Sequence, residues 1–251
     1  MKTFLQDFVQ EVGDKKLSKL ELDKLKIRIA KKHNLGKIPK YNEILYSLNQ
    51  DESRKLNWIV NKPSRTISGV APISIMSKPS NCPSQAKCIF CPGGIRSPFG
   101  DTPKSYTGNE PASRRAARNN FDPYLQVMNR IEQYLINNHV PEKVELIIQG
   151  GTFTAYSHEY QEQFIAYALK AMNDFSSIYL SKDFDIEKFK KFFLLPSDIR
   201  DQARVSSINN RLLDIKGNVD LEEEKKKNET ARIRCIGLTI ETRPDYGLLE
   251  H

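Results

Sequence analysis

The chain has 251 residues, with 39 Lys plus Arg against 31 Asp plus Glu, for a formal net charge of +8. Hydrophobic residues make up 39% and charged residues 28%, which suits a folded core under a polar surface, in one large domain or two small ones. No apolar run reaches the roughly eighteen residues of a membrane span, and the start lacks the apolar stretch of a signal peptide, so the expected compartment is the cytoplasm. The positive balance favours polyanionic partners through counterion release, and is equally the mark of a solvated, lysine-rich surface.

Residues 1–60 read as a small basic helical region. Phe4, Phe8, Val9 and Val12 recur at helical spacing. Ser18 and Glu21 have the spacing of a capping box, opening a helix with Leu22, Leu25 and Ile29 on one side. Lys24, Lys26, Arg28, Lys31 and Lys32 lie largely on the others, and Gly36 and Pro39 are expected to stop the helix. A short third helix is expected over residues 43–48. The lysines serve equally as a solvated face or as a platform for RNA.

Residues 62–66 read as a linker into residues 67–76, an apolar, β-branched stretch bounded by Gly and Pro and expected to form a buried strand. That strand delivers the chain to Cys82, Cys88 and Cys91, three of the four cysteines, spaced C-x5-C-x2-C and followed by Pro92, Gly93 and Gly94. Thiolates are soft ligands for zinc, copper(I) or iron–sulfur clusters, and prolines and glycines let such a loop turn its sulfurs towards one point. Structural zinc takes four protein ligands, and no histidine lies inside the loop. A [4Fe–4S] cluster is usually held by four cysteines, so three leave one iron open to a substrate or cofactor. Three readings stand: an open cluster, a zinc site, or three unrelated buried thiols. Clustered cysteines without a secretory signal also point to a reducing compartment.

A polar segment with Gly and Pro, residues 95–111, precedes an expected helix over 113–138 with a break at Asp122 and Pro123. Arg114, Arg115 and Arg118 cluster on its first half, as a solvated face or as phosphate contacts. Residues 143–149 read as a strand that ends in Gly150, Gly151 and Thr152, where a ligand can approach the backbone closely. An amphipathic helix is expected over 159–172. Residues 176–227 lose the pattern and read as a flexible insertion without chemistry of its own. Within it, 181–193 is a possible helix and 221–227 a charge run on a solvated helix face. Residues 233–240 read as the next strand, with Cys235 in the core, ending in Glu241 and Arg243 where a polar ligand would be held.

Taken in order, these motifs resemble the catalytic subunit of Elongator, the radical S-adenosylmethionine family that modifies the wobble uridine of tRNA. The resemblance runs from near Arg65 to His251. It is carried by Arg65 to Gly69 in the order Arg, Thr, Ile, Ser, Gly, by Lys78 and Pro79, and by the cysteine triplet with Pro92, Gly93 and Gly94. Ser105, Tyr106, Thr107 and Gly108, then Glu110 and Pro111, then Phe121, Asp122 and Pro123 continue it. Gly150, Gly151, Thr152 and Phe153 follow, and last the run from Gly237 through Glu241, Thr242, Arg243, Pro244, Asp245 and Tyr246. The five-residue gap between Cys82 and Cys88 resembles archaeal members, whereas Gly247 stands where the family often has a cysteine and the 176–227 insertion is longer than usual.

The resemblance implies an α/β fold: the N-terminal portion of a radical-SAM partial TIM-like barrel (residues 61–251) preceded by the basic helical region (residues 1–60). The later barrel strands and an acetyltransferase domain are expected to lie outside this chain. By the same resemblance, Cys82, Cys88 and Cys91 would hold a [4Fe–4S] cluster whose open iron chelates S-adenosylmethionine. Gly150, Gly151 and Thr152 would lie near the methionine part, and Glu241 would hold its amino group or ribose. The family's radical abstracts hydrogen from acetyl-CoA, and the carbon radical adds to carbon five of uridine. Lys143 matches a position the family associates with acetyl-CoA, and Arg65, Lys24, Arg28, Lys31 and Lys32 are candidate phosphate contacts. The implied partners are the anticodon region of tRNA, and other Elongator subunits or a second copy of the chain. Two further readings remain: an RNA-binding module with a metal but no catalysis, and a fragment whose open barrel edge drives self-association.

Overall fold

The computed structural model describes residues 2–83, 86, 88–182, 184–197 and 201–248. Four helices come first: α1 (Lys2–Val12), α2 (Lys19–Lys32), α3 (Tyr41–Ser47) and α4 (Gln50–Lys55). Their apolar faces meet in a core of their own, with Phe4, Phe8, Ile29, Ile44 and Leu48 fully or almost fully buried. The capping box at Ser18 is formed: its N–H and hydroxyl donate to Glu21 Oε2 at 2.7 and 2.6 Å, and the Glu21 N–H donates to Ser18 Oγ at 3.3 Å. Helix α2 ends at Lys32, ahead of Gly36. Asn34 takes the left-handed conformation (φ 48°), and the Leu35 N–H closes back on the Ala30 carbonyl at 3.0 Å, so asparagine supplies the stop. Helix α4 was not expected; Asn49 caps it, with Glu52 completing a second box.

The second core is built on three parallel strands in the order β1 (Ala71–Met76), β2 (Lys143–Gln149), β3 (Arg234–Ile240). Strand β1 begins later than the apolar pattern does, because Pro63–Thr66 forms a turn of 3₁₀ helix and Gly69 has φ 77°. Two helices, α5 (Pro111–Arg118) and α6 (Pro123–Leu135), connect β1 to β2. The break between them is made by Asn120 and Phe121, both left-handed, and by Asp122, whose side chain caps α6 at Leu125 N–H with Pro123 in the first turn. Helix α7 (His158–Tyr179) runs beyond its expected end because Phe175, Ser176 and Tyr179 continue its buried face. Ile73 and Ile75 of β1 and Val144, Leu146 and Ile148 of β2 pack with Met128, Ile131, Phe164 and Phe175 of α6 and α7. On β3, Ile236 and Leu238 are 54% and 45% exposed, so its apolar side chains are left facing outward.

The described residues between α7 and β3 form packed helices where the broken pattern implied a loose insertion. They form α8 (Ile186–Phe192), α9 (Gln202–Lys216) and α10 (Leu221–Asn228). Arg204 of α9 forms a buried ion pair with Glu132 of α6 and also donates to the Phe193 carbonyl at 2.6 Å. On α10, the buried Glu224 accepts from Asn173 Nδ2 at 2.7 Å. Asn228 links Asn173, the Ile233 carbonyl and the Cys235 N–H, which fixes the entry to β3. Among the described residues no helix is long and apolar enough to cross a membrane.

Candidate functional site at the strand ends

Parallel pairing places Met76 beside Gln149 and Ile148 beside Ile240, so the three carboxyl ends finish side by side. Ligand sites of open α/β sheets form at this edge. Glu241, the residue after β3, is its anchor. Oε2 accepts the N–H groups of Gly150 and Gly151 at 3.0 and 3.2 Å, and Oε1 accepts the Tyr106 hydroxyl at 2.5 Å. One carboxylate thus ties together the end of β2, the end of β3 and the loop that follows the cysteines. Burial and this hydrogen bond to a carboxylate both push the Tyr106 phenol above its ordinary range, keeping it a donor.

Gly150 and Gly151 permit close packing. Gly150 has φ 126°, and a Cβ there would stand 2.2 Å from Ser77 Oγ; at Gly151 (φ 83°) it would stand 2.7 Å from the Lys104 Cβ. Ser77, directly after β1, is fully buried and its hydroxyl has no partner among the described residues. Thr152 is buried beside them. Lys104 is 3% exposed, with its ammonium 5.0 Å from the centre of the Tyr156 ring and no carboxylate partner among the described residues. Burial lowers its pKa, and the nearby Cys82 draws it back up. Sequence reasoning passed over Lys104 and read Tyr106 only as part of a motif, with no role at the site. Both sit in a polar loop, and nothing local marks a lysine there as buried.

Cys82 and Cys91 line one cavity of about 360 Å³ with Asn81, Gly93 and Gly94. The Cys91 thiol donates to the Gly93 carbonyl at 2.9 Å, and Thr102 Oγ1 accepts the Gly94 N–H at 3.0 Å, docking this loop on residues 101–108. Cys88 is exposed, and its sulfur accepts from Arg243 Nη1 at 3.6 Å; Asp245 holds the same guanidinium at 2.9 and 2.7 Å. Among the described residues no group of three His, Cys, Asp or Glu side chains is gathered as a metal cage. The donor set nonetheless fits a thiophilic cluster: three free thiols on one loop, a buried cation beside one and a guanidinium beside another. The unpartnered Ser77 hydroxyl and the glycine cradle fit a polar cofactor next to it.

The other expected site residues lie apart. Lys143 is exposed at the amino end of β2, about 23 Å from Gly150 at the usual strand rise. Lys24, Arg28, Lys31 and Lys32 are exposed on α2, where Arg28 pairs with Glu11 and Lys32 with Asp7 at 2.7 Å. Arg65 falls in the 3₁₀ turn Pro63–Thr66, and its side chain is outside the description. Cys235 is half-buried against the core, as expected, and burial raises its thiol pKa.

Residues 1–67 match the family described as ELP3 N-terminal domain. A tRNA uridine(34) acetyltransferase of Methanocaldococcus infernus is 39% identical over 249 residues, covering 98% of this chain and 39% of that protein. A tRNA uridine(34) acetyltransferase of Methanocaldococcus jannaschii is 42% identical over 92% of this chain and 36% of its own length. Elongator complex protein 3 of Schizosaccharomyces pombe is 34% identical, again over 92% and 36%. The chain therefore spans about two-fifths or less of the length of these relatives. A solved structure of archaeal Methanocaldococcus infernus Elp3 with an N-terminal deletion (1–46) shares 30% identity over 72% of this chain and 25% of that one, with a TM-score of 0.41. By its N-terminal domain and by relatives that align along nearly its whole length, the chain belongs to the Elp3 family.

Proposed function

We propose that this chain is the radical S-adenosylmethionine part of an enzyme that modifies uridine 34 of tRNA. The observation that carries the reading is the Glu241 anchor, which joins the glycine cradle after β2 to the loop carrying the cysteines. Cys82, Cys88 and Cys91 would hold a [4Fe–4S] cluster. When bound with S-adenosylmethionine, that cluster supplies one-electron cleavage of the cofactor and a radical able to take hydrogen from the acetyl group of acetyl-CoA.

The chain's own residues bind, orient and exclude water. Gly150 and Gly151, packed against Ser77 and Lys104 where any Cβ would clash, would set the end of β2 beside the methionine part of the cofactor, with the Ser77 hydroxyl a donor towards it. The Lys104 ammonium, buried without a carboxylate partner among the described residues, would offer a counter-charge to the cofactor carboxylate. Glu241 accepts three hydrogen bonds, which fixes its carboxylate and leaves a lone pair for the amino or ribose group. Lys24 and Lys31 would contact tRNA phosphates from α2. Arg28 and Lys32 could join them, because exposed ion pairs such as theirs are weak and readily exchanged for a phosphate. Lys143 remains the candidate for acetyl-CoA, at the far end of β2, and Arg65 a further candidate for RNA. The name of the Schizosaccharomyces pombe relative, Elongator complex protein 3, supports an Elongator assembly as partner; self-association and a cytoplasmic setting belong to the same proposal.

The test is reductive cleavage of S-adenosylmethionine by the anaerobically reconstituted chain, read as 5′-deoxyadenosine by mass spectrometry, with salt-dependent tRNA binding measured alongside. The reading predicts cleavage that disappears in Cys88→Ala, and tRNA affinity that falls with added salt in both proteins. Binding of tRNA with no cleavage by the parent would instead leave an RNA-binding module.

A further inference from the structure

Arg243 stands two residues beyond the Glu241 anchor, on the loop that leaves β3. Asp245 grips its guanidinium along one edge: Nε donates to Oδ1 at 2.9 Å and Nη2 to Oδ2 at 2.7 Å. That two-point grip leaves Nη1 as the third corner, and Nη1 donates to the Cys88 sulfur at 3.6 Å. We propose that Arg243, aimed by Asp245, is a hydrogen-bond donor to the sulfur ligand at Cys88 and raises the reduction potential of a cluster held there. The inference rests on the cluster reading above and gives a role to two residues which that reading leaves without one.

The backbone sets up this grip. Pro244–Tyr246 forms a turn of 3₁₀ helix, and the Tyr246 N–H closes on the Arg243 carbonyl at 2.9 Å, which brings the Asp245 carboxylate back to the Arg243 side chain. The turn is itself tied down, because the Thr154 hydroxyl, in the loop after β2, donates to the Tyr246 carbonyl at 2.6 Å. A guanidinium is planar and its donors point in fixed directions, so holding one edge fixes where the remaining nitrogen aims. The Arg243 side chain is 26% exposed, so water screens its contact with the sulfur only in part. One short stretch of loop therefore serves both halves of the strand-end site: Glu241 bonds to Gly150, Gly151 and Tyr106, and Arg243 bonds to the cysteine loop.

The sign of the effect follows from charge. Reduction takes one electron from a low-potential one-electron donor, makes the cluster and its thiolates more negative, and forms or breaks no bond at Arg243. A cation with an N–H directed at a ligand sulfur therefore stabilises the reduced form more than the oxidised one, and the potential rises. A hydrogen bond to a charged group is strong enough to move such an equilibrium by about tenfold, which is about 59 mV for a one-electron couple.

Redox titration of the anaerobically reconstituted chain, followed by electron paramagnetic resonance without S-adenosylmethionine, tests the proposal. In Arg243→Gln the reduction equilibrium should fall about tenfold, a shift of about −59 mV. Asp245→Asn keeps the guanidinium but loosens its aim, and should lose about threefold. Arg243→Lys keeps the charge without the fork and should fall between the parent and Arg243→Gln. Lys225→Gln, which removes the same charge from exposed α10 ahead of β3, should match the parent. Should Arg243→Gln fail to hold a cluster, retention in Arg243→Lys supports a charge at the sulfur, and loss from both overturns the proposal. A parent potential in Arg243→Gln, or an equal shift in Lys225→Gln, overturns the proposal and leaves the cluster reading standing. A parent chain that takes up no iron overturns both.

Discussion

Replacing Gly150 by alanine probes the packing on which the strand-end site depends. The new Cβ would stand 2.2 Å from Ser77 Oγ and 3.4 Å from Ser77 Cβ, on a backbone with φ 126°. Overpacking of this kind costs about 1–3 kcal/mol, and holding an L residue in this backbone region about 1–3 kcal/mol more. Gly150→Ala is therefore expected to lose about 2–6 kcal/mol, the sum of those two effects. Ser77→Ala removes the clashing oxygen and leaves its Cβ at ordinary contact distance. That hydroxyl is buried without a partner among the described residues, so its removal alone should be close to neutral. Urea unfolding of the four proteins of this cycle isolates the steric part. In the Ser77→Ala background the loss from Gly150→Ala should shrink by about 1–3 kcal/mol, the overpacking component. An equal loss in both backgrounds would refute the close approach of Ser77 to Gly150.

Arg204→Met strands the buried carboxylate of Glu132 and should destabilise the chain by about 3–5 kcal/mol in urea unfolding, whereas Arg204→Met with Glu132→Leu should recover much of that loss. At Glu110, partial burial pushes the carboxyl up. The Thr107 N–H, its own amide and the Ser113 and Thr107 hydroxyls outweigh burial and hold the pKa at about 2, below its ordinary 4.5. A depressed folded-state pKa stabilises above the unfolded value and loses that contribution as pH falls through the folded one. The stability gap between the parent and Glu110→Gln should therefore be full above pH 4.5 and close as pH falls towards 2. A gap independent of pH would contradict the bonding at Glu110.

Much of this architecture was legible in local pattern. Strand β2 occupies the residues its apolar run marks, and the Ser18 capping box forms as spaced. Where the pattern misled, the reasons are physical. Helix α9 buries Arg204 and Asn209 beside Ile208 and Leu212, so its inward face carries no clean apolar period, and this helix within the 176–227 stretch leaves no mark in the pattern although it is packed. Helix α2 stops at an asparagine able to adopt left-handed geometry, a weaker sequence mark than the glycine that follows. At the site, strand direction alone brings Gly150 and Glu241 to one edge. The bond from Tyr106 to Glu241 spans 135 positions of sequence and leaves no local trace, as does the burial of Lys104. Strand direction also separates Lys143 from Gly150, since the two stand at opposite ends of β2.

Iron content and electron paramagnetic resonance of the anaerobically reconstituted chain, with and without S-adenosylmethionine, test the central claim most directly. The account predicts roughly four irons per chain, the number in one [4Fe–4S] cube, lost in Cys88→Ala, and a reduced spectrum that changes when the cofactor is added. Stoichiometric zinc in place of iron, or a cluster whose spectrum ignores the cofactor, would contradict it.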